Sequence, residues 1–143
     1  MREWLWLYPI VEILHIIGLA VLVGAAVLFD LRLLGVSRIL PVTALAAHLL
    51  PWARASLLFI VPSGLMMFTA HATEFATNPA FQLKLALLAA AAANALAFHL
   101  RTFRTVAAWD RGAPAPPAAK VAAILSLLLW SGVIICGRLL AYL

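Results

Sequence analysis

The run Ile10-Val11-Glu12-Ile13-Leu14-His15-Ile16-Ile17-Gly18-Leu19-Ala20-Val21, apolar from there to Phe29 before Asp30-Leu31-Arg32, decides how this chain is read. As a helix rising about 1.5 Å per residue it is long enough to cross the roughly 30 Å hydrocarbon core of a bilayer. Glu12 and His15 stand three residues apart in it and share a helical face. Ionisable residues at membrane depth are costly, which makes this pair a functional candidate.

The remainder of the 143 residues has the same character: 66% of the chain is hydrophobic and 10% charged, with a mean hydropathy of +1.10. That balance excludes a soluble domain and makes the lipid bilayer the first partner. The net charge of +5 does not indicate nucleic acid, because the basic residues gather in short connections beside apolar runs, the distribution that orients membrane proteins. Cys136 is the one cysteine, so no internal disulfide is available. Met1-Arg2-Glu3-Trp4 leads into an apolar run too long for a signal peptide, so the first segment is expected to be retained.

The expected architecture is an all-α integral membrane four-helix bundle, a single domain over 1–143 with antiparallel up-down topology. Pro9 suits a first helical turn and Trp4, Trp6 and Tyr8 an interfacial belt, placing the first span at about 8–29. His48 to His71 would cover roughly 35 Å as a helix, more than the hydrocarbon core. Val42 to Leu50 therefore reads as a short interfacial helix and 54–72 as the second span, with Pro62 a kink beside Gly64. Thr73 to Asn78 reads as a polar loop, Pro79 opens a third span at about 80–104, and Trp109 to Pro117 is a linker rich in proline. The fourth span falls at about 118–142. Arg32, Arg38, Arg54, Arg101, Arg104, Arg111 and Lys120 lie in or beside the connections after helices one and three, against Arg2, Lys84 and Arg138 toward the other end. Both termini are thus expected outside a bacterial inner membrane.

This threading sends Glu12, His15, His71, Glu74, Lys84 and Arg138 toward one leaflet from four helices. Three chemistries suit them. In the first, Glu12 pairs with Lys84 or Arg138 and the histidines donate to carbonyls. In the second, His15 and His71 are axial ligands of one haem b, Gly18 and Gly64 leave room for the macrocycle, and Arg138 and Lys84 meet the propionates. In the third, Met66, Met67, His71 and Cys136 offer soft ligands to copper. At the opposite end Asp30 is expected to partner an arginine, the arginines to snorkel, and His48 with His99 to form a weaker second haem pair. Under the haem reading Lys84 and Glu12 are the candidate catalytic groups, balancing propionates or relaying a proton.

The segments His15-Ile16-Ile17-Gly18-Leu19-Ala20, Asp30-Leu31-Arg32-Leu33-Leu34-Gly35 and Ser126 to Arg138 resemble small bacterial four-span membrane proteins of unassigned function. More distantly, the first-helix histidine with its following Gly and Arg, and Phe81-Gln82-Leu83-Lys84-Leu85 leading to His99, resemble the HemJ-type protoporphyrinogen oxidases; the chain also resembles CopD-type copper-resistance proteins. The HemJ resemblance implies haem b and functional roles for His15 and Lys84. The departures are Ala25-Ala26-Val27-Leu28, where that family is richer in aromatics, and the fourth helix. The expectation is a haem-binding protein for electron transfer or a membrane-associated redox reaction, with a quinone or porphyrin as lipophilic partner and self-association possible. An enzyme of this kind would be an oxidoreductase, protoporphyrinogen-oxidase-like or quinone-linked. Copper transport and a noncatalytic membrane subunit are the alternatives.

Overall fold

The computed structural model describes residues 5–143. Arg2 and Trp4, used in the expectations above, lie outside them. Four long helices carry the fold: α1 (Leu7–Leu33), α2 (Val42–Ala70), α4 (Pro79–Leu100) and α5 (Pro117–Leu139). A short helix, α3 (Ala72–Thr77), joins α2 to α4, and a 3₁₀ helix (Thr102–Ala108) precedes the connection to α5. All four long helices have the length and apolar composition to cross a membrane. Their outward faces show large apolar residues such as Ile13, Ile17, Leu58, Leu96 and Leu128, as contact with lipid requires.

Small residues at seven-residue spacing set the packing. On α1 the buried positions include Val11, Gly18 and Ala25; on α2, Val42, Ser56 and Ser63 keep the same register. Seven residues complete nearly two turns, so each set forms a stripe along which two backbones can approach. At Gly18 the approach is closest: a Cβ there would lie 2.8 Å from Ile60 Cγ1 and 3.3 Å from the Ser56 carbonyl oxygen. α4 packs on α5 in the same way, with Leu87 Cδ1 2.9 Å from where a Gly132 Cβ would stand. α1 also contacts α5, whereas α2 and α4 form no comparable contact among the described residues. The bundle is thus two helix pairs joined through α1 and α5, with a loose seam between α2 and α4.

The helix ends follow local chemistry. Gly35, at φ +108°, closes α1: Gly35 N–H donates to the Arg32 carbonyl and Val36 N–H to that of Leu31, a Schellman arrangement. Asn78 caps α4 by accepting from Ala80 N–H at 2.9 Å, with Pro79 in the first turn.

Three expectations change. Val42 to Leu50 is not a separate interfacial helix but the first part of α2, which continues through Pro51 and Pro62. A proline removes one helical hydrogen bond without ending a helix that is held elsewhere. Here Ser63 Oγ, beside Pro62, donates to the carbonyls of Phe59 and Ile60, and the start of α2 is capped from another part of the chain. The expected loop at Thr73 to Asn78 holds α3. The linker is non-helical but packed: Trp109, 4% exposed, sits in a cluster with Phe29, Leu33, Val42, Ala46, Phe98, Ala119 and Ala123.

Asp110 follows Trp109 and caps α2. Its Oδ1 accepts from Thr43 N–H at 2.8 Å, its Oδ2 from the Thr43 hydroxyl at 2.9 Å, and its carbonyl from Val42 N–H. An acidic cap at a helix N-terminus satisfies free donors and opposes the helix dipole. The hydrogen bond from Thr43 N–H is the chief reason that the Asp110 carboxyl is held below the usual carboxylate range, with the Thr43 hydroxyl and Arg111 adding to it.

Candidate functional site

His15 lies on α1 one turn before Gly18, so its ring reaches α2 where the two helices are closest. Its Nδ1 is 3.1 Å from the Ile60 carbonyl oxygen and 2.9 Å from Ser63 Oγ. A carbonyl can only accept, and the Ser63 hydroxyl proton already points at the Phe59 and Ile60 carbonyls. Nδ1 therefore carries the proton and donates to both oxygens, which leaves Nε2 with a free lone pair. The ring lies over Gly64, where a Cβ would be 3.3 Å from His15 Cε1.

Lys84 is the second member. It stands on the α4 face that also carries buried Ala91 and Phe98, at seven-residue spacing. Its half-buried side chain turns to α5, with Nζ 3.7 Å from where a Gly137 Cβ would lie, and its charge is within electrostatic reach of both His15 and buried Cys136. His15, Ser63, Lys84 and Cys136 thus gather from all four long helices near the end of the bundle that holds the termini.

His71 stands elsewhere. It occupies the break between α2 and α3, its ring edge-on to Tyr8 with centroids 5.3 Å apart and tilted against Phe75 at 5.8 Å; its Nδ1 is buried without a hydrogen-bond partner. Tyr8 is seven residues before His15 and Gly64 seven before His71, so the two imidazoles are offset by about 10 Å along the α1–α2 pair. A macrocycle held by both would need them at one level. The bis-histidine arrangement does not fit these residues, and the space assigned to it at Gly18 and Gly64 is taken by Ile60 and by the imidazole of His15 itself. The donors that do come together are one oriented imidazole, His15, and one amine, Lys84, within electrostatic reach of it.

The remaining candidates separate. Glu12 is exposed on the lipid-facing side of α1. Arg138 is exposed, its Nη2 donating to the Tyr142 hydroxyl at 2.7 Å and its guanidinium 5.0 Å from that ring, so it serves neither Glu12 nor the interior. His48 is exposed, whereas His99 is enclosed by Phe29, Phe98 and Phe103, so this pair shares no site. Met66 is exposed and Met67 half-buried, and no group of three His, Cys, Asp or Glu forms among the described residues.

The other end of the bundle departs from expectation. Asp30 does not pair with an arginine; it faces Ser126 of α5. Arg32 does not snorkel: at 3% exposed it donates from Nε to the Leu40 carbonyl at 2.6 Å and from Nη2 to those of Arg38 and Asp110. Three carbonyls freed by the turn and the linker draw the guanidinium inward, where it ties the two connections together. Ser63, the contact of Tyr8 with His71 and the Asp30–Ser126 contact were not expected from sequence. The serine was within reach of a pattern, since Ser56 and Ser63 repeat at seven residues; the other two depend on which helices become neighbours.

Comparison with curated proteins returns no match, and comparison with solved structures returns none either. The family comparison does: residues 7–143 match a family of unknown function, DUF6644, and with nearly the whole chain covered, the protein belongs to that family.

Proposed function

We propose that this chain is a haem-b-binding membrane protein for electron transfer or a membrane-associated redox reaction, in which His15 would hold the iron and Lys84 would supply a positive charge or a second donor. The observation that carries the reading is the placement of His15 Nδ1 at 3.1 Å from the Ile60 carbonyl oxygen and 2.9 Å from Ser63 Oγ, which orients the ring and leaves Nε2 outside those contacts. A backbone carbonyl behind a ligating imidazole orients the ring and raises its basicity, the usual second contact of a metal-bound histidine. The resemblance to the HemJ-type proteins points to the same two residues, and supports His15 with Lys84 in place of His15 with His71.

Bound haem supplies one-electron exchange. The chain's own residues supply the setting. Ser63 and Ile60 prevent the imidazole from turning, and Lys84 contributes positive charge or a second donor. Phe68 and Phe75 stack on Phe81 at 5.5 Å each and close the α2–α4 seam toward the terminal end, keeping water out. Below that stack the seam stays loose, so a quinone or porphyrin could approach from the bilayer. An enzyme of this kind would be an oxidoreductase. The arginine-rich connections favour a bacterial inner-membrane protein with both termini outside.

Absorption spectroscopy tests the proposal. Protein purified in detergent, or reconstituted with hemin, should show a Soret band that shifts on dithionite reduction. His15→Ala should abolish the low-spin spectrum and His71→Ala should retain it. No Soret band after reconstitution, or loss in His71→Ala alone, would overturn the assignment. Elemental analysis finding copper in place of iron would favour the transport alternative.

A further inference from the structure

Far from His15, toward the end of the bundle that holds the linker, the protein buries a carboxyl group with nothing to balance it. Asp30 is 6% exposed, and its Oδ2 has no hydrogen-bond partner. It lies between Phe29 and the chain leading to Leu33, both members of the apolar cluster. Ser126 of α5 is the polar side chain that faces it. One turn from Ser126, Asn94 of α4 donates to the Ala122 carbonyl at 2.9 Å, so three helices contribute to one polar layer.

The charged and titratable groups around this layer are otherwise engaged. On its own helix, Arg32 is committed to the carbonyls of Leu40, Arg38 and Asp110. From α4, His99 packs among Phe29, Phe98 and Phe103, a quarter-turn round α1 from Asp30. From α2, Arg54 is exposed and acts on His99, and His48 is exposed. From α5, Lys120 lies nearly two turns from Ser126. Arg104 of the 3₁₀ helix is exposed. Among the described residues none makes an ion pair with Asp30.

An ionised carboxylate without a cation or a full set of donors is the costliest group that a membrane helix can bury, and gaining a proton removes that cost. Neutralisation by a cation would need several oxygen donors converging on the carboxylate, and the Ser126 hydroxyl supplies one. We propose that Asp30 is an intramembrane proton-binding site, its carboxyl taking up and giving up a proton at the linker end of the bundle. On release the Oδ2–H bond breaks, the proton passes to water admitted between α1 and α5, and the carboxylate remains facing Ser126. The site is independent of haem, and gives this end of the protein the means to store a proton.

Two measurements on the full chain in detergent or nanodiscs test this. Dicyclohexylcarbodiimide adds to protonated carboxyls in apolar surroundings. At mildly acidic pH mass spectrometry should find its adduct on Asp30 and not on Glu74 or Asp110, which lie outside the long helices, with labelling falling as pH rises. Infrared spectra should show a protonated-carboxyl band that is lost on alkalinisation and absent from Asp30→Asn, a variant expected to melt as the wild type does at acidic pH. A wild type lacking this band at mildly acidic pH would overturn the proposal, whether or not the reagent reaches Asp30. Suppression of labelling by sodium at fixed pH would overturn it in favour of a cation site.

Discussion

His15 illustrates how one residue acquires a role from its neighbours. In sequence it is an imidazole in a lipid-facing run; in the fold it is a donor to Ile60 and Ser63 with its other nitrogen free. Ser63→Ala should remove one of the two acceptors and cost about 1 kcal/mol of stability in thermal unfolding, with Ile60 still holding the ring. If haem is bound, the same variant should broaden its Soret band, because a less constrained imidazole samples more orientations. Asp110 gives a second residue-scale test. Its carboxyl is held below the unfolded value, so it adds stability above the ordinary carboxylate range, and that contribution is lost as pH falls through the folded value. Melting curves over acidic pH should show this loss in the wild type and not in Asp110→Ala, which should already be less stable at neutral pH.

At the scale of elements, the α1–α2 pair depends on its small-residue stripes. In lipid, helices gain little by burying apolar surface against each other, so close backbone contact and dispersion carry the association. Gly18→Leu should be strongly destabilising, since even a Cβ meets Ile60 and the Ser56 carbonyl; Gly18→Ala should cost roughly 1–3 kcal/mol. Gly24, with nothing within 4 Å of its would-be Cβ, should accept alanine without loss. Detergent unfolding followed by circular dichroism would separate the two glycines. The stripes were not singled out in the sequence, although their seven-residue spacing is present in it; the same spacing puts Lys84, Ala91 and Phe98 on one face of α4. The continuity of α2 through Pro51 was not legible, because it depends on a cap supplied by Asp110, 67 residues away in sequence.

The whole molecule is closed at one end by Trp109, which joins α1, α2, α4 and α5 through one buried cluster and donates from its indole N–H to Thr105 Oγ1 at 3.0 Å. Trp109→Ala should cost about 3–5 kcal/mol by leaving a large void, enough to loosen both connections together. Cys136 reports on the same global state from the other end. It is the one thiol and it is buried, so a membrane-permeant maleimide should label it slowly in the folded protein and rapidly after denaturation in dodecyl sulfate. Trp109→Ala should speed that labelling, which would show that the two ends open as one unit.

By itself the sequence determined that four apolar helices cross a membrane, because length, hydrophobicity and the scarcity of charge are local quantities that lipid tests segment by segment. Helical periodicity is local as well, and it puts Lys84, Ala91 and Phe98 on one face of α4; that this face is buried is a result of the tertiary structure. Only the tertiary structure decided which polar groups meet. It separated His71 from His15 by two turns, sent Arg138 to Tyr142, drew Arg32 into the linker and left Asp30 opposite Ser126. Those outcomes depend on helix rotation and on the pairing of α1 with α2 and α5, which are set by side chains packing between segments far apart in the chain.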